Sequence, residues 1–318
     1  MKRGKIMNHF KRLLISGLML LTSVNAYSAQ SCKEVTFADV GWTDITATTA
    51  LTSVILQGLG YSTESQLLSV PVTYKSLENG DVDVFLGNWM PTMEADIRPY
   101  VENKSVEVVG KNLDGAKYTL AVPSYVAEAG VKTFADIAKH ADKFKDRIYG
   151  IEPGNDGNRL IQDMIDKNAF ALKEFKVVES SEAGMLSQLK RAVKRKEWIV
   201  FLAWEPHPMN ANFELTYLSG GDDYFGPNFG GASVFTNVRK GLMNECGNLA
   251  QLLNNLEFSL QMENEVMGAI LDDKKKPEVA AKAWLKENFD SVEGWLQGVK
   301  TIDGKPAAPA VKKHLDLM

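Results

Sequence analysis

Two kinds of hydrophobic pattern alternate along this chain. Short continuous apolar runs suit strands covered on both faces, and apolar stripes at i, i+3 and i+4 suit helices. Residues 199–203 form a run of the first kind that ends in Trp204, and Pro206 and Pro208 then forbid more strand or helix. An indole at the carboxyl end of a strand in an α/β protein faces the crevice where ligands bind, or else plugs a core. Both roles are open for Trp204 taken alone.

The same grammar recurs from the start of the chain. Residues 34–40 predict a first strand, interrupted by Gly41-Trp42-Thr43-Asp44. A helix follows, with Ala47, Ala50, Leu51, Val54 and Ile55 on its apolar face and Gly58 and Gly60 closing it. Asp44 stands where an N-cap is wanted, and the position also points beyond the first strand. Residues 66–74 predict a second strand, a β-α-β pattern that implies parallel pairing. A short helix over 74–79 leads to an apolar strand at 82–86, then Gly87-Asn88-Trp89-Met90-Pro91-Thr92, again strand, indole, proline. Residues 106–109 give one more strand.

Near Asp114-Gly115 the pattern turns, and residues 117–123 run extended into what reads as a second lobe. Its units are a helix at 134–140, a strand at 147–151, and a Gly-rich loop at 152–158. A helix striped by Leu160, Ile161, Met164 and Ile165, a strand at 174–178 and a helix at 182–195 follow. A Gly-rich loop opening a helix turns backbone N–H groups and the positive dipole end toward the cleft. The chain returns through 214–219 and a loop at 220–231, and the remainder reads as helical over 249–262 and 277–298. Trp284 and Trp295 are expected in the core, and the stretch past Val299, with Pro306 and Pro309, is expected to be disordered.

The first 28 residues carry Lys2, Arg3, Lys5, Lys11 and Arg12, then an apolar core at 13–21 and small residues at Ala26, Ser28 and Ala29. This is the pattern of a cleaved export signal, too short to span a bilayer. Its removal takes five positive charges and no acids, moving the net charge from −4 to −9. An acidic surface disfavours nucleic acid and anionic lipid as partners. The basic run at 190–196 lacks interleaved aromatics and reads as a solvated helix end. Two cysteines, Cys32 and Cys246, survive cleavage, and one disulfide is the economical reading in an oxidising compartment, against two free thiols. No histidine has metal-ligand spacing, so neither a metal nor a cofactor is expected.

Three indoles, Trp42, Trp89 and Trp204, each follow an apolar strand, and Tyr118 sits at the crossover. Converging rings suit a cation that lacks N–H donors, with ~0.5–2 kcal/mol per desolvated contact. A sugar is the other ligand for such a cleft, but it needs polar partners that these strand ends do not supply. A hydrolase using His207 and Glu205 is a competing class, disfavoured because no nucleophile elbow is present.

Together the motifs GWTD at 41–44, GNWMPT at 87–92, KYTLAVP at 117–123, GIEPGNDGN at 150–158 and AWEPHPMN at 203–210 resemble a known family. The chain is similar, from Cys32 to about Val299, to the substrate-binding proteins of bacterial ABC importers for quaternary amines, and especially to their choline-binding branch. The resemblance implies a two-lobed, type II-like α/β periplasmic binding protein. Each lobe would be a mostly parallel sheet flanked by helices, with residues 29–114 and 220–299 in one lobe and 115–219 in the other. It also implies an aromatic box of Trp42, Trp89, Tyr118 and Trp204, a hydroxyl held by Asp44 and Asn155, and a Cys32–Cys246 disulfide. A periplasmic monomer delivering choline to an inner-membrane ABC permease is the expectation. Glycine betaine and carnitine are the alternatives, because N–H groups at 154–157 could hold a carboxylate; Asp44 would repel one and so favours choline. Acetylcholine would bind more weakly, and a chemotaxis receptor role would use the same cleft.

Overall fold

A computed structural model describes residues 32–317. The export-signal reading of residues 1–28 lies outside the described residues. Nine strands form one mixed sheet in the order β2-β1-β3-β9-β4-β7-β5-β6, with β8 also paired to β4. At one end, β1 (Glu34–Asp39) runs parallel to both β2 (Ser62–Leu67) and β3 (Val84–Met90). At the other, β5 (Arg147–Tyr149) runs parallel to β6 (Lys176–Val178) and β7 (Phe201–Glu205). These two parallel sets are the β-α-β units expected from the pattern.

What joins them was not foreseen. The 18-residue strand β4 (Val106–Pro123) pairs antiparallel with β9 (Gly231–Arg239) through its first part and with β7 and β8 (Leu215–Tyr217) through its last. Residues 231–239 were expected to leave a loop and enter helix. They are a central strand, because Ala232, Val234, Thr236 and Val238 alternate into the core. The predicted strands at 106–109 and 117–123 are one strand, whose pairing shifts register around residues 108–116.

The second predicted strand also needs correction. The strand is 62–67, an edge segment whose polar sequence hides it, and helix α2 (Val70–Asn79) follows, with Pro71 in its first turn. The helical stretch at 249–262 is two helices, Gly247–Asn255 and Leu260–Leu271, the second capped by Ser259. Helix Pro277–Glu287 stops at Asn288. Trp295 is buried as expected, whereas Trp284 is half-buried and donates to Glu265 Oε2 at 2.6 Å.

The tail is ordered. Helix Ala307–His314 lies against helix α1 (Thr43–Gly58), with Ala307, Val311 and Leu315 buried. A Cβ at Gly58 would stand 3.2 Å from the Val311 backbone, so glycine permits the close approach. Pro306 and Pro309 fit because they precede the helix or stand in its first turn, where no intrahelical N–H is needed. Cys32 and Cys246 are joined by a disulfide, with Cα atoms 5.5 Å apart. It ties the start of β1 to the segment after β9. Among the described residues, no helix is long and apolar enough to cross a membrane.

Candidate functional site

A small cavity is lined by Trp42, Asp44, Trp89, Tyr118, Ile151 and Trp204. Each lining side chain is delivered by a strand or by the turn just after one, except Asp44, which comes from the first turn of a helix. Trp42 follows β1 and Gly41, whose φ of +84° favours glycine. Trp89 lies near the end of β3, which runs farther than the apolar run 82–86 suggested. Gly87 allows this, since a Cβ there would stand 2.7 Å from Ile45 in α1. Tyr118 and Trp204 face each other directly across β4 and β7. The indoles of β3 and β7 are thus inside their strands, not beyond them.

The rings meet edge to face. Tyr118 lies 6.0 Å from Trp89 and 6.3 Å from Trp204, centroid to centroid, at interplanar angles of 60° and 81°. Phe225, which the sequence did not single out, supports the Tyr118 ring from behind at 5.9 Å. Such offset contacts hold each ring by its neighbour's quadrupole.

Asp44 is the polar exception. It is not the N-cap of α1, a position held by Trp42, but sits in the helix's first turn, 1 % exposed. Its Oδ2 accepts the Trp89 indole N–H at 3.1 Å, and its Oδ1 has no protein partner. Burial, with the charge of Glu182 second, pushes its pKa up to about 8, against the hydrogen bonds that hold it down. Burial likewise raises Asp156 to about 6, and raises Glu263 well above its ordinary range with Asp44 adding to it. Among the described residues, no basic side chain lines the cavity.

Asn155 is not among the side chains lining the cavity and bonds the outer edge of one of them, Tyr118. Its Oδ1 accepts the Tyr118 hydroxyl at 2.9 Å and the Asn158 N–H at 3.0 Å, and its Nδ2 donates to Asp156 Oδ1 at 3.0 Å. Asn155 is the N-cap of the helix Asp156–Asp166. Gly157 makes room for Tyr118: a Cβ there would fall 2.1 Å from its hydroxyl. The Gly-rich loop is therefore shaped around a ring edge.

His207 and Glu205 do not form a hydrolytic pair. Glu205 bonds Lys117 at 2.9 Å, while buried His207 reaches Glu182 at 3.2 Å and accepts the Met209 N–H at 2.9 Å. Ile151 was also missed as a wall residue, although the strand predicted at 147–151 ended on it. Glu182 gave only the ordinary signal of an acid in a helix's first turn.

Known proteins resemble this chain in sequence and fold. An ABC-transporter choline binding protein in complex with choline is 65 % identical, covers 90 % of this chain and 99 % of its own, and superposes with a TM-score of 0.89. An unliganded semi-closed structure, also of an ABC-transporter choline binding protein, is 66 % identical over the same shares, with a TM-score of 0.83. Lactococcal OpuAC, closed on glycine betaine, is 30 % identical over 83 % of this chain and 99 % of its own, with a TM-score of 0.75. Residues 33–287 match the family described as the substrate binding domain of ABC-type glycine betaine transport system. An α/β fold on one mixed sheet, an aromatic cluster at its strand ends and a family match over most of the chain together make this protein a member of that substrate-binding family of ABC transport systems.

Proposed function

We propose that this protein captures choline and delivers it to an inner-membrane ABC permease, working in the periplasm after export. The observation that carries the reading is the cavity itself: four aromatic rings and one carboxylate, with no cation of the protein's own in the wall. A trimethylammonium group offers no N–H donor, so ring faces and a negative charge are what can hold it. Contacts worth ~0.5–2 kcal/mol each, from four rings, are on the scale of the roughly 8 kcal/mol of micromolar binding. Asp44 Oδ1, left without a partner, would accept the choline hydroxyl. The Asn155 amide would donate to it by exchanging its bond to Asp156.

The 65 % identity to a protein solved with choline supports the same ligand here. The cleft would open about β4 and β9, with lobes divided near 114/115 and 219/220 as the chain reading set them. Glycine betaine or carnitine is the second reading. It is favoured by the raised pKa of Asp44, because a neutral acid does not repel a carboxylate. Calorimetric titration of the purified protein with choline, acetylcholine, glycine betaine and carnitine decides between them. Choline is expected to bind tightest and unconsumed, and a betaine or carnitine affinity equal to or above that of choline would overturn the assignment.

A further inference from the structure

Helix α1 starts without a cap of its own. Trp42 holds the N-cap position with no side-chain bond to the helix, so the free N–H of Thr43 needs an acceptor from elsewhere. That acceptor is Glu182, 139 residues further along the chain. Its Oε2 accepts the Thr43 N–H at 2.8 Å and its Oε1 accepts the Thr43 hydroxyl at 2.6 Å. The same Oε1 faces His207 Nε2 at 3.2 Å. Because His207 Nδ1 accepts the Met209 N–H, the ring proton sits on Nε2 and donates to the carboxylate. All three side chains are buried, Glu182 at 3 % exposure. Its own N–H is held in turn by Glu152 Oε1 at 2.8 Å.

The partners of Glu182 are neighbours of the cavity residues. Thr43 stands between Trp42 and Asp44, and the His207 ring lies 4.8 Å from Trp204. Thr43 belongs to the β1 end of the sheet, whereas Glu182 and His207 belong to the β5–β7 end. One carboxylate, itself outside the cavity wall, therefore bonds both sides of the cleft just behind the rings. Its charge also helps to raise the pKa of Asp44.

We infer that Glu182 is a positioning residue for ligand capture: a helix cap supplied from across the cleft, whose bonds to Thr43 form on closure and hold Trp42 and Asp44 against Trp204. The inference rests on the choline reading of the cavity and on a cleft that opens. When the cleft is open, water solvates Glu182 and Thr43, so the bonds favour the closed, ligand-bound state over the open one.

The test compares wild type, Glu182→Gln and Thr43→Val by choline calorimetry, by release rate from tryptophan fluorescence, and by thermal unfolding with and without choline. Glu182→Gln keeps the volume but sets an amide N–H₂ against donors. It is expected to raise the choline Kd ten- to hundredfold, mostly through faster release, with little change in the Tm of the ligand-free protein. Thr43→Val, which removes only the hydroxyl bond, is expected to give a smaller effect of the same kind. Unchanged Kd and release rate in Glu182→Gln would overturn the inference. So would an equal fall of Tm with and without ligand, which would make Glu182 a support of the fold alone. If Glu182→Gln does not fold, Thr43→Val decides by the same criteria. Wild type that binds no quaternary amine would instead sink the choline reading. Wild type that binds choline beside an indifferent Glu182→Gln would sink only the role of Glu182.

Discussion

The Trp89 indole N–H donates to Asp44 Oδ2 at 3.1 Å, so one cavity wall residue orients another. The bond fixes the carboxyl and leaves its Oδ1 as an unpartnered acceptor in a side chain that lines the cavity. It also joins β3 to the first turn of α1, two elements that already pack together at Gly87 and Ile45.

Choline binding should release a proton near neutral pH. With a pKa raised from 3.8 to about 8, Asp44 is mostly neutral in the free protein at pH 7, and a cation beside it favours the ionised form. Choline affinity is therefore expected to rise as pH climbs from 6 toward 8 and then to level off, while glycine betaine affinity stays flat or falls. Calorimetry in buffers of different ionisation enthalpy should show release approaching one proton per choline at pH 7. Asp44→Asn should abolish that release and narrow the preference for choline over betaine. Glu182, the other acid that acts on Asp44, stays in place in this variant, as does Glu263, on which Asp44 acts. The sign for stability is opposite. The folded state holds a proton that the unfolded chain gives up, so this group's contribution is present below about pH 4 and lost as pH rises through about 8.

Trp42→Ala and Trp204→Ala should each weaken choline binding at least tenfold, through lost ring contact, in proteins that remain folded. Each removes one of four faces worth ~0.5–2 kcal/mol or more when desolvated, and opens the cavity to water. Unchanged calorimetric affinity in a folded variant would remove that indole from the site. Quenching or a shift of tryptophan emission on adding choline should be reduced in both variants.

Much of this site could be read from the chain because its parts are local. An apolar run, an indole and a proline at 84–91 and at 201–206 mark strand ends whatever the rest of the protein does. What stayed hidden depends on distant partners. β9 was not foreseen because Gly230-Gly231 and Asn237 mask its alternation, and its place between β3 and β4 follows from pairings that no local pattern carries. Glu182 looked like an ordinary first-turn acid, since Thr43 lies 139 residues away. The bond between Asn155 and the Tyr118 hydroxyl, which joins two residues 37 positions apart, is likewise not carried by spacing.

Gly157→Ala should disable the site without substituting a lining residue. The new Cβ would fall 2.1 Å from the Tyr118 hydroxyl and 2.9 Å from Leu202, so the ring must move and its bond to Asn155 must break. Gly157 lies in the first turn of a helix, where alanine is otherwise favoured over glycine by about 1 kcal/mol. A loss of choline affinity of tenfold or more in a folded protein is expected. Affinity equal to wild type would mean that the Tyr118 position is not part of binding.

Deleting residues 300–318 should lower stability and spare affinity. Val311 and Leu315 are fully buried, and the helix that carries Val311 packs on α1 at Gly58. Burial of a Val or Leu side chain is worth about 1.5–3 kcal/mol, so loss of the pair should cost about 3–6 kcal/mol. For a chain of this size that is a fall in Tm on the order of 10 °C. The contact is at the C-terminal end of α1, whereas Trp42 and Asp44 are at its N-terminal end, roughly 20 Å away along a helix of 1.5 Å rise per residue. Choline Kd measured well below the lowered Tm should therefore stay within about twofold of wild type. A Tm that does not move would mean the tail contributes nothing to the fold, and a large loss of affinity at full folding would mean that α1 transmits the change from one end to the other.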